Sequence, residues 1–86
     1  MEYKVYTVFD AAVQSYMQPF YAQAKGQAIR MFADSVNDPS HMFAKHPDDY
    51  TLFELGVYND EDASFTMHLT PMSLGVAIEF KRGSND

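Results

Sequence analysis

Residues 2–9 read EYKVYTVF, a run rich in aromatic and β-branched residues with no glycine or proline. Such a run forms a strand. Alternation puts Tyr3, Val5, Thr7 and Phe9 on one face and Lys4, Tyr6 and Val8 on the other. Both faces are thus partly apolar, whereas a sheet covered on one side only normally alternates apolar with polar. The strand therefore demands a cover on both faces, or a use for the uncovered one. An 86-residue chain has little material for a second layer of its own.

The rest of the chain supplies the partners of this strand. DAAVQ turns, and SYMQPFYA (15–22) is a second strand whose Pro19 restricts it to an edge or a bulge. From Gln23 the period changes. Ala24, Ala28, Ile29, Phe32 and Val36 make one apolar helical face ending near Ser35–Asn37. YTLFELGVY (50–58) is a third strand, NDED a turn and ASFTMHL (63–69) a fourth strand. Thr70–Pro71 then reads as an N-cap with proline at the first helical position, starting a second helix over 72–81 that stops at Gly83.

The order is ββα–ββα, and a displacement of 49 residues superposes Val8 on Val57, Ser15 on Ser64, Gly26 on Gly75, Ala28 on Ala77 and Ile29 on Ile78. Glycine inside both helices calls for a reason, such as close approach to a neighbour, because it costs about 1 kcal/mol relative to alanine. The pattern predicts one α+β domain over 1–86, with repeats at 2–36 and 50–82 and a connector at 37–49. Its four-stranded antiparallel sheet carries two helices on one face, a permuted ferredoxin-like arrangement. By the repeat, Leu52, Glu54, Gly56 and Tyr58 share the face of Tyr3, while Phe53, Leu55 and Val57 share that of Tyr6.

Composition narrows the function. Hydrophobic residues make up 47% of the chain, which rules out a disordered polyelectrolyte. There is no cysteine, hence no disulfide framework and no thiolate chemistry. MEYKVYTVFD has neither the basic flank nor the apolar core of a signal peptide, and no window is apolar enough to span a membrane. Twelve acidic residues against six basic ones give a net charge of −6, the opposite of a protein that holds nucleic acid mainly by phosphate contacts.

The densest polar stretch is NDPSHMFAKHPDDYTLF (37–53). His41 and His46 lie five apart, not at the i, i+4 spacing of helical metal ligands. Local duties account for the polar residues better than a metal does. Asp38 and Pro39 start a helical turn with Met42 and Phe43 facing inward, His46–Pro47 ends it, and Asp48–Asp49 turn the chain into Tyr50. No nucleophile elbow, phosphate loop or dinucleotide fingerprint occurs, so the expectation is a non-enzymatic protein without cofactor or metal.

The central block resembles the small nonstructural protein of the gokushoviruses, single-stranded DNA phages of the Microviridae. The matching residues are Ala28–Arg30, Asn37–His41, Phe43, Lys45–Pro47, Asp49–Tyr50, Leu52–Phe53, Leu55–Asn59 and the ending from Thr70 to Phe80. The resemblance implies a bacteriophage protein of the host cytoplasm that binds DNA or serves the switch to single-stranded DNA synthesis. It implies no catalytic or metal residues. Together these readings give a homo-oligomer, a homodimer at least, that binds single-stranded DNA weakly. Tyr3, Phe9 and Tyr58 would stack on bases, with Lys4, Lys25, Arg30 and Lys45 at phosphates. The other reading is an acidic adaptor for phage replication or packaging proteins, with no DNA contact. Whether the basic residues converge on one surface discriminates the two.

Overall fold

The computed structural model describes residues 1–82. The long strand is β1, Glu2–Asp10, and it lies inside an antiparallel sheet. On one flank it pairs with two short strands, β2 (Ser15–Tyr16) and β3 (Phe20–Ala22). They are the expected second strand, on the edge as Pro19 requires, but split in two. Residues Met17–Pro19 between them hold to β1 through Met17, whose amide donates to the Val8 carbonyl and whose carbonyl accepts from the Thr7 hydroxyl, both at 2.8 Å. On its other flank β1 pairs along its whole length with β4 (Tyr50–Asn59), and β5 (Ser64–Val76) forms the far edge. The fold is α+β. Helix α1 (Lys25–Val36) and the one-turn helix α2 (Met42–Lys45) join the sheet through one shared core.

That core follows from the helical period. Ala28, Phe32 and Val36 of α1 are buried against Tyr6 and Val8 of β1 and Leu52 of β4, with Ile29 partly buried beside them. Phe43 of α2 closes one end, its ring 5.4 Å from that of Phe32 and 4.6 Å from that of Tyr50. Removing a ring of the Phe32 kind costs about 3–5 kcal/mol, a large share of the stability of a domain this size. Asn37 ends α1 and ties it to the far end of the chain. Its Nδ2 donates to the carbonyls of Ala33 (2.8 Å) and Phe80 (3.0 Å), and its Oδ1 accepts from the Arg82 amide.

The second helix expected over 72–81 does not form. β5 runs through Thr70 and Pro71 to Val76, and a single 3-10 turn, Ala77–Phe80, follows. Thr70–Pro71 is therefore no helix start; the proline lies on an edge strand at a bulge, where a missing N–H costs nothing. Gly75 adopts φ 135, a backbone that disfavours any side chain and that no helix contains. Its neighbours Leu74 and Val76 alternate as a strand, and Ala77 and Phe80 then drop onto the core, Phe80 5.6 Å from Phe32. A ββαββα chain with two equivalent helices is thus absent from the described residues. The expected stop at Gly83 lies outside them.

Face assignment is decided by one extra residue. β1 and β4 are in register from Asp10↔Tyr50 to Tyr6↔Glu54, and again from Val5↔Gly56 to Glu2↔Asn59. Leu55 is the residue left over. Directly opposed residues share a face, so Leu52 and Glu54 lie with Val8 and Tyr6 under the helices. Beyond the bulge the parity inverts, and Tyr58 joins Tyr3 on the open face. The assignment by repeat therefore holds for Gly56, Val57 and Tyr58. It fails for Leu52, Phe53, Glu54 and Leu55.

β5 answers the same irregularity with four residues, His68–Pro71, opposite Leu55. The strands come together again at Gly56, where an added Cβ would overlap the Thr66 carbonyl oxygen and lie 2.7 Å from Met67 Cα. Both obstacles are backbone. Gly26, by contrast, has nothing within 4 Å of a Cβ, so no close approach explains it. Gly56→Ala should therefore lower stability by about 1–3 kcal/mol. Gly26→Ala should raise it by up to about 1 kcal/mol. Thermal melts followed by circular dichroism check both, and equal melting temperatures for the two variants would contradict the geometry.

Candidate functional site

The open face of the sheet carries the aromatic residues. At one end Tyr3 and Tyr58 oppose each other across β1 and β4. Tyr21 of β3 packs edge-on to Tyr58 at 5.9 Å, and Phe65 of β5 lies 4.8 Å from it. Tyr3, Tyr21 and Tyr58 line a shallow apolar depression between them. At the other end Tyr16 of β2 contacts Phe9 at 4.8 Å and Phe53 at 5.8 Å. A concavity of about 310 Å3 between the two groups is lined by Thr7, Tyr16, Met17, Pro19, Leu55 and Pro71. Tyr16, Tyr21 and Phe65 are each about half exposed. None of the residues paired in register on this face is charged.

The structure divides the seven residues expected at DNA into two sets. Tyr3 and Tyr58 meet, and Phe9 shares their face but belongs to the second aromatic group. Lys4 opposes Val57 and Ala22, with its side chain directed to the helix side of β1. Lys25 and Arg30 are exposed on α1 and Lys45 on α2. Within one chain the cations do not converge on the aromatic face. Lys81 is occupied elsewhere, its Nζ donating to the Ala44 carbonyl at 3.0 Å. Arg82 approaches Asp34 at 4.0 Å, an exposed pair that contributes little.

Tyr16, Tyr21, Phe53 and Phe65 complete the aromatic face and escaped the sequence reading. For Tyr16 and Tyr21 the signal was present as strand parity against β1. Phe53 was hidden by the bulge at Leu55, which reverses its direction.

A second feature was also missed. Glu54 is 4% exposed, opposed to Tyr6 across the strands, and its Oε2 lies 2.8 Å from His68 Nε2. Its Oε1 and the Tyr6 hydroxyl are buried without a hydrogen-bond partner. Buried polar atoms of this kind cost about 1–3 kcal/mol each. The pair holds the bulged part of β5 against β4: among residues Ser64–Ser73 only His68 is not exposed. Burial pushes the Tyr6 phenol above its ordinary value, and the Glu54 charge adds to the rise. Burial, with the nearby Asp10 and Asp49 carboxylates, does the same for Tyr50.

The connector is built from turns, with a changed cast. Asp38 Oδ1 accepts from the Ser40 amide (3.0 Å) and hydroxyl (2.8 Å), which lowers its pKa. Asp62 makes the same contacts with Ser64 in the hairpin turn between β4 and β5, with the same effect. The cap of α2 is His41, not Asp38, its Nδ1 accepting from the Phe43 amide at 3.1 Å. Phe43 faces inward as expected, whereas Met42 is exposed. Pro47 accepts from the Ile78 amide, which fastens the connector to the 3-10 turn. Among the described residues no three His, Asp or Glu side chains group to hold a metal ion. Nor is any helix among the described residues long and apolar enough to cross a membrane.

The family described as Phage ORF5 protein matches residues 3–80, nearly the whole of the described chain. The chain belongs to this phage family. No curated protein and no solved structure matches it. The family span starts at Tyr3, ends at Phe80 and so contains all the strands' aromatic contacts and the 3-10 turn that closes the core.

Because its hydroxyl has no partner, Tyr6 gives a direct test of the buried cluster. Tyr6→Phe should leave stability at pH 7 unchanged or raise it by up to about 3 kcal/mol. A phenol whose folded-state pKa is raised stabilises the fold below its unfolded value near 10 and loses that contribution as pH rises through the folded value. Urea titrations from pH 8 to 11 should therefore show stability falling at the alkaline end, less steeply in Tyr6→Phe. A clear loss at pH 7 would mean that the hydroxyl is in fact bonded.

Proposed function

We propose that this phage protein is non-enzymatic, works in viral single-stranded DNA synthesis in the host bacterial cytoplasm, and uses the open aromatic face of its sheet as a weak stacking surface for unpaired bases. The observation that carries the reading is the placement of Tyr3 and Tyr58 on adjacent central strands, on the face away from the helices and each partly exposed, with Tyr21 and Phe65 in ring contact with Tyr58. Each base stacked on an aromatic ring contributes about 1–3 kcal/mol and does so for any sequence. The resemblance to gokushovirus nonstructural proteins and the membership of a phage family support the setting. The sheet, two hairpins joined at their first strands, also supports an origin by duplication, the second helix having given way to the 3-10 turn.

A specific observation favours a second reading. The cations lie on the helix side, away from the rings, in a chain of net charge −6. On that ground the aromatic face would instead receive a phage replication or packaging protein, and the chain would be an acidic adaptor.

Salt dependence separates the two. Six phosphate contacts on a single strand would give a log–log slope of roughly −4, whereas one or two contacts give about −0.7 to −1.4. With the rings and the cations on opposite sides, oligo(dT) binding should be weak and its slope shallow. Fluorescence anisotropy from 20 to 200 mM salt reads it. Tyr3→Ala with Tyr58→Ala should weaken binding at least tenfold without changing the slope, and Lys25→Ala with Arg30→Ala should change neither. No binding at 20 mM salt would end the stacking reading and leave the adaptor.

A further inference from the structure

β5 is the longest strand and yet contributes almost nothing to the core. From Ser64 to Ser73 every residue but His68 is exposed, and Leu69 is fully so. Among the described residues no strand pairs with its outer edge, so its peptide groups there are open to another chain. Proteins protect such edges with lysine, proline, bulges or inward charges. Here Pro71 and the bulges all lie beyond Met67, and from Ala63 to Ile78 the chain has no Asp, Glu, Lys or Arg. The regular part, Ser64–Met67, is unprotected, with Phe65 and Met67 half exposed.

We propose that the occupant of this edge is a second copy of the chain, paired antiparallel through Ser64–Met67 about a twofold axis. The edge can pair with itself, and its lack of charge admits a copy. Two chains of −6 repel wherever their acidic turns approach, and this uncharged edge is where they meet without that penalty. The register must keep each residue on its own face. Centring the axis on Thr66 does so and sets Phe65 of each copy against Met67 of the other, a sulfur–aromatic cross-strand pair. The two Asp62 residues then stand about 26 Å apart along the strands at roughly 3.3 Å per residue. Screening at physiological salt acts over about 8 Å, so the acidic turns do not oppose pairing.

The dimer has a consequence for the open face. Tyr21, Tyr58 and Phe65 form a row from β3 to β5. Edge pairing continues it through Phe65 and Tyr58 of the second copy to its Tyr21, a track of about 34 Å at roughly 4.8 Å per strand. Half of the track belongs to each copy. The dimer stands on the edge alone, while the use of the track for bases rests on the stacking reading above.

A single cysteine at the axis tests the dimer in a chain that has none of its own. Opposed residues of an antiparallel pair come within disulfide range. Thr66→Cys should form a cross-linked dimer under mild oxidation at least tenfold faster than Gln27→Cys, which is exposed on α1. Light scattering should give two chains for the unmodified protein at 100 μM and one chain for Thr66→Lys, with the same circular dichroism. A single-chain mass for the unmodified protein, or equal cross-linking at both positions, would overturn the proposal. So would a dimer indifferent to Thr66→Lys. Oligo(dT) binding then reads the track separately: dimer without binding sinks the stacking reading and leaves the edge pairing intact. Binding by a protein of single-chain mass does the reverse.

Discussion

The bulge at Leu55 and the close contact at Gly56 fix everything that the rest of the molecule presents. One extra residue in β4 inverts the parity of the strand. On one side of it Leu52 and Glu54 face the helices and complete the core; on the other Tyr58 turns to the open face beside Tyr3. Without the bulge Glu54 and Tyr58 would share a face, and either a charge would join the aromatic surface or a tyrosine would leave it. Gly56 makes the inversion possible because β5 returns there with its backbone against the position a Cβ would fill. The His68–Glu54 contact holds the long excursion of β5 opposite the bulge.

The same inversion separates two chemistries. On the helix side lie the core, the buried carboxylate and the basic residues of α1 and α2. On the other lie aromatic rings with no formal charge among them. A surface of that kind recognises flat apolar partners through contact area, not through long-range attraction. The stacking proposed above would use such a surface, since it needs contact area and not charge.

Much of the local structure was legible in the sequence because local interactions decide it. The aromatic and β-branched run of β1, the apolar period of α1 at Ala28, Phe32 and Val36, and the edge position forced by Pro19 all follow from backbone and side-chain stereochemistry. The polar turn NDED does too, since Asp62 bonds the Ser64 amide regardless of the fold, whereas Asp38, expected as a cap, bonds Ser40 instead. Thr70–Pro71 misled for the same reason that it seemed informative. The pair is a good helix start in isolation, but proline at a bulged edge fits as well, and the positive φ of Gly75 together with the pull of Leu74, Ala77 and Phe80 toward the core decides for the strand.

What the sequence by itself determined is the set of elements with a strong local signal, the absence of cysteine chemistry, the acidic balance and the surplus of apolar side chains beyond what one core can hold. Only the tertiary structure decided which side chains form that surplus. The choice depends on a register between β1, β4 and β5 that no local pattern encodes, because inserting one residue exchanges the two faces of a strand while leaving its composition unchanged. The burial of Glu54 under the helices and the gathering of Tyr3, Tyr21, Tyr58 and Phe65 on the open side are products of that register.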